Sequence, residues 1–97
     1  MNIKFNDRLA LVTGAAQGIG RATAERFKAA RARVHLLDID EAGVASTAAE
    51  IGADYSAVDL GDREAVNTCI HTIEVKHGPI DILASAAGGV RGQIGRS

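Results

Sequence analysis

Tryptophan is absent from this 97-residue chain, and only Phe5, Phe27 and Tyr55 are aromatic. So sparse a set offers no row of ring faces on which single-stranded nucleic acid could stack. Cysteine occurs once, as Cys69, which excludes an intrachain disulfide and points to a reducing compartment, the cytoplasm by default. No apolar run approaches the roughly 18 residues of a membrane span. Leu9-Ala10-Leu11-Val12 is also too short for a signal-peptide core. Neither sign of charge dominates: 11 Lys and Arg stand against 12 Asp and Glu, a formal net charge of −1. The basic residues are scattered from Lys4 to Arg96, so neither nucleic acid nor a membrane surface is an expected partner.

What remains, 46% hydrophobic and 24% charged, has the balance of one globular domain. A chain of this size buries only about 60–70% of the surface its unfolded form exposes, so its core is thin. Leu9-Ala10-Leu11-Val12, closed by Thr13-Gly14, reads as a strand buried on both faces of a parallel sheet. From Gly18 onward, Ile19, Ala22, Thr23, Phe27 and Ala30 recur at helical spacing. Val34-His35-Leu36-Leu37 forms a second strand ending at Asp38. Val44, Ala45, Ala48 and Ile51 line a second helix, with Gly52 placed for a left-handed cap. Tyr55-Ser56-Ala57-Val58 is the third strand. A third helix opens at Gly61, read as its N-cap with Glu64 folding back on it, and carries Val66, Cys69, Ile70 and Ile73 until Gly78-Pro79 stops it. Ile80-Asp81-Ile82-Leu83-Ala84 is the fourth strand. Four strands and three helices with right-handed crossovers predict an α/β fold, an open doubly wound parallel sheet of order 3-2-1-4. The first two helices should lie on one face and the third on the other.

Between the first strand and helix lies Thr13-Gly14-Ala15-Ala16-Gln17-Gly18-Ile19-Gly20, a glycine-rich turn feeding a helix N-terminus, where free amides and the helix dipole favour phosphate. Gly14 permits the turn, Gly18 leaves room for a pyrophosphate, and Gly20 lets the helix pack closely. A phosphate loop of the nucleotide-hydrolysing type is excluded, because no Gly-Lys-Ser or Gly-Lys-Thr follows at the required spacing. Asp38 ends the second strand 18 residues beyond Gly20, where a carboxylate can accept both hydrogen bonds of an adenosine ribose and repel a 2′-phosphate. That position favours NAD over NADP. Asp59, closing the third strand, is a weaker candidate for the adenine amino group.

This ordered set, with Asp59-Leu60 and Gly78-Pro79-Ile80-Asp81-Ile82-Leu83, resembles the short-chain dehydrogenase/reductase family over nearly the whole chain. The resemblance implies that residues 1–97 form a partial Rossmann dinucleotide-binding domain, the NAD-binding half of an oxidoreductase. Gly14, Gly18, Ile19 and Gly20 would hold the pyrophosphate, with Gln17 of the same turn among the cofactor contacts. Asp38 would hold the ribose, and Asp59 and Leu60 the adenine. Where the family usually carries Asn-Asn-Ala-Gly, Ser85-Ala86-Ala87-Gly88 stands here, leaving Ala87 and Gly88 to border the nicotinamide ribose. Arg31 stands where the family commonly ends a helix with Gly, a position demanding positive φ.

No catalytic residue is assigned. The family's catalytic Ser and Tyr-x-x-x-Lys lie in a part this chain lacks, and Tyr55 is followed four residues later by Asp59. His35, His71 and His77 share no metal-ligand spacing with one another or with Cys69, so no metal is expected. Hydride exchange between NAD and a small-molecule alcohol or carbonyl therefore belongs to a full-length parent. The alternative is a non-catalytic nucleotide-binding or interaction module. An uncovered fourth strand implies self-association, and a homo-oligomer is expected.

Overall fold

A computed structural model describes residues 7–16 and 18–85. Four strands, β1 (Leu9–Thr13), β2 (Arg33–Asp38), β3 (Asp54–Ala57) and β4 (Ile82–Ser85), alternate with three helices, α1 (Gly18–Ala29), α2 (Glu41–Ile51) and α3 (Arg63–His77). All strand pairs are parallel and the order is β3-β2-β1-β4, as the alternation predicts.

Side chains alternate across a strand, so the parity of β1 assigns its residues to opposite layers. Ala10 and Val12 join Ala24 of α1 and Val44 and Ala48 of α2 in one cluster, whereas Leu9 and Leu11 join Ile73 of α3 in the other. The first two helices thus cover one face and the third the other, as expected. Alanines at 10, 15, 24, 32 and 48 dominate the first cluster, and their small size lets helices lie close to the sheet. The second layer is thinner. Ile73 is the only buried residue of α3, and Cys69 packs there half-buried beside Ile70.

Three departures from the sequence reading have an identifiable physical reason. β3 begins at Asp54 rather than Tyr55, because the register pairs His35 with Asp54 and Asp38 with Ala57; Val58 lies beyond it and donates to the Asp38 carbonyl at 2.9 Å. β4 begins at Ile82 rather than Ile80. Asp81 precedes it as a clasp, its amide donating to the Leu9 carbonyl and its carboxylate accepting the Leu9 amide, both at 2.9 Å. The N-cap of α3 is Asp62, not Gly61, since the Asp62 carboxylate accepts from the Ala65 amide at 3.1 Å. Asp is the better cap because it satisfies an amide that glycine leaves to solvent. Glu64 is simply an exposed acid in the first turn, where the helix dipole favours it. The left-handed cap at Gly52 (φ 74°) is as expected.

Candidate functional site

The carboxyl ends of β1 and β2 converge on the glycine turn. Gly14 adopts φ 70°, and its amide donates to the Leu37 carbonyl at 2.8 Å, locking the turn to β2. Gly20 has no room for a side chain: a Cβ there would lie 1.9 Å from the Gly14 carbonyl oxygen. Gly18, by contrast, has φ 65° and open space where a Cβ would stand. The two glycines therefore serve different ends, Gly20 closing the helix onto the turn and Gly18 leaving the outer approach clear. No acidic residue occupies the first turn of α1, so no side chain of that turn repels an anion from its free amides. Ile19 is exposed beside that approach.

Asp38 stands next to this turn and is half-buried. One carboxylate oxygen accepts from the Ala16 amide at 2.9 Å and the other from the Asp40 amide at 3.1 Å. A carboxylate has about four acceptor sites, so capacity remains for a ribose diol. The Ala16 carbonyl is held from a third direction by the Thr47 hydroxyl at 3.0 Å. Thr47 is fully buried, and sequence reasoning missed it. The available signal was a hydroxyl sitting one residue before Ala48 on the apolar stripe of α2. The turn is thus pinned by β2 and α2 without a ligand.

Asp59 lies exposed after β3 and turns back on its own loop, accepting from the Gly61 amide at 2.9 Å. Leu60 is half-buried and lines an apolar cleft of about 330 Å³ with Thr13, Leu37 and Ser85, at the carboxyl ends of three strands. Gln17, Ala87 and Gly88 lie outside the described residues. Arg31 does adopt the positive φ its position demands, 72°.

A second group of polar residues gathers at the other end of the sheet. His35 on β2 is 6% exposed, and its Nε2 lies 2.8 Å from the Ser56 hydroxyl while its buried Nδ1 has no partner. The ring of His77 lies 5.9 Å away, and His77 Nε2 is 3.7 Å from an Asp54 carboxylate oxygen. Burial holds the His35 pKa below its ordinary value; His77 and Lys76 push it further down, and Asp54 opposes them. Linear spacing separates these residues, and only the β2–β3 register and the end of α3 bring them together.

Parallel strands in this order, a pinned glycine turn at a helix N-terminus and a carboxylate closing β2 define a dinucleotide-binding half of a doubly wound sheet. The short chain dehydrogenase family model matches residues 8–96, and the chain belongs to that family. It is 45% identical over 97 residues to the probable oxidoreductase EphD of Mycobacterium tuberculosis, covering 95% of this chain and 16% of that protein. A 3-ketoacyl-(acyl-carrier-protein) reductase from Brucella melitensis, solved with NADH, superposes with a TM-score of 0.75 at 35% identity, covering 80% of this chain and 33% of the other. A metagenomic short-chain oxidoreductase solved with NADP gives 0.78 at 31%, covering 81% and 38%. The chain thus spans between about a sixth and two fifths of the proteins it matches here. The family binds nicotinamide dinucleotides and small-molecule substrates. Among the described residues no helix is long and apolar enough to cross a membrane.

Proposed function

We propose that residues 1–97 act as the NAD-binding half of a short-chain dehydrogenase. The pinned turn supports this reading most directly: Gly20 is closed to any side chain while Gly18 is open beside the α1 amides. Gly14, Gln17, Gly18, Ile19 and Gly20 hold the pyrophosphate, Asp38 the adenosine ribose, Asp59 and Leu60 the adenine, and Ala87 and Gly88 border the nicotinamide ribose. Asp38 favours NAD because its charge opposes a 2′-phosphate. When bound, the nicotinamide supplies or accepts a hydride. The residues of this chain bind and orient it, and among the described residues none is placed to move the accompanying proton. In the whole protein the other reactant is a small-molecule alcohol or carbonyl, the assembly is a homo-oligomer and the compartment is the cytoplasm. Titration calorimetry of the chain with NAD and NADP tests the reading. Saturable binding that prefers NAD is expected, and a folded chain that takes up neither dinucleotide would remove it.

A further inference from the structure

We infer that His35, Asp54 and His77 form a binding site for a divalent transition-metal cation of the zinc type, at the amino-terminal end of β2 and β3. Each offers one ligand atom, and these atoms all lie within 4.8 Å of one another. Metal–nitrogen and metal–oxygen distances of about 2.0–2.2 Å place neighbouring ligands of a tetrahedral zinc about 3.3–3.6 Å apart. Asp54 and His77 stand 3.7 Å apart already. The remaining closure falls to side chains with freedom to turn, since Asp54 and His77 have 68% and 26% of their side-chain surface exposed.

Three features prepare the site. His35 Nε2 lies 2.8 Å from the Ser56 hydroxyl, and in the tautomer that donates there Nδ1 keeps its lone pair; a ligating histidine ordinarily makes such a bond with its other nitrogen. Nδ1 is buried without a partner, an unusual state for a polar atom in a folded core and one a cation would resolve. The Arg33 guanidinium donates to the His77 carbonyl at 2.8 Å, holding the end of α3 over β2. Two imidazoles and a carboxylate form a donor set suited to zinc and cobalt, and the cleft of about 430 Å³ beside them leaves a coordination position for water. Lys76 also lines this cleft. It is exposed, and its long stem can keep the ammonium in solvent. A cation here would join β2, β3 and α3, at the opposite end of the sheet from the glycine turn.

The test is titration of the untagged chain with cobalt and then zinc, alongside thermal unfolding in increasing zinc. One equivalent of cobalt should give the visible absorption of a low-coordinate site and be displaced by zinc. The unfolding midpoint should rise with zinc concentration, because the cation binds the folded state. Asp54→Ala alters an exposed position and His77→Ala a half-buried one at the end of α3, and both should fold; each should weaken zinc binding at least about tenfold, the lower end of what losing even an outer partner costs. His71→Ala, which removes an exposed histidine outside the cluster, should bind as the parent does. Absence of saturable one-to-one binding, parental affinity in His77→Ala, or an equal loss in His71→Ala would overturn the site.

Discussion

Asp38 engages two backbone amides, those of Ala16 and Asp40, before any ligand arrives. It therefore shapes the glycine turn in addition to the ribose role proposed for it, and its sequence position pointed only to the second. Asp38→Ala should relax discrimination against NADP roughly ten- to hundredfold, matching about 1.5–3 kcal/mol for a charged hydrogen bond. Parallel titrations with both dinucleotides read the ratio, and an unchanged ratio would show that Asp38 does not face the ribose. Gly20→Ala forces a Cβ against the Gly14 carbonyl and should cost about 1–3 kcal/mol in denaturant unfolding, the range of overpacking. A loss within 0.5 kcal/mol, roughly the scatter of surface changes, would mean that helix and turn separate freely. His35 supplies a pH dependence. Its folded pKa lies below the ordinary 6.5, so the unfolded chain takes up its proton first as pH falls. In metal-free buffer the stability due to neutral His35 should be complete above that value and decline as pH drops through it. Urea melts across this window check the slope, and a rising stability would contradict it.

At the scale of elements, strands and helices were legible because short apolar runs alternate with apolar stripes spaced at about 3.6 residues, and because glycines stand where the chain must turn. Their ends were less legible, since partners distant in sequence set them. β4 starts at Ile82 because Asp81 clasps Leu9 across 72 residues, and nothing within Ile80–Ala84 announces that. The histidine cluster was hidden for the same reason: His35 meets Asp54 through strand register, while His77 arrives at the end of α3. Arg31 shows the reverse, a local rule that could be read and that the fold obeys under strain. A left-handed conformation costs an L-residue about 1–2 kcal/mol, offset in a glycine replacement by greater unfolded-state entropy. Arg31→Gly should accordingly raise stability by about 0.5–1 kcal/mol, as measured by thermal or urea unfolding. A decrease would show that the arginine side chain contributes more than its backbone strain costs.

For the whole molecule, the two faces of the sheet are unequally protected. One carries α1 and α2 over a cluster of nine buried residues, while the other relies on α3, of which Ile73 alone is buried. β4 makes the difference consequential. Among the described residues it pairs only with β1, and Ile82, Leu83 and Ala84 are all merely half-buried. An apolar strand with one unpaired edge presents free amides and carbonyls beside apolar side chains, a surface that recruits further strands. The apolar cleft lined by Leu11, Ile70 and Leu83 adjoins that edge, so pairing there would also cover the weaker face. Self-association of the 97-residue chain is therefore expected to run through β4. Sedimentation over a concentration series should show mass rising with concentration. Leu83→Lys, which places a charge on the edge strand, should shift the equilibrium toward monomer, and a parent chain that stays monomeric throughout would show that β4 is covered from within the chain.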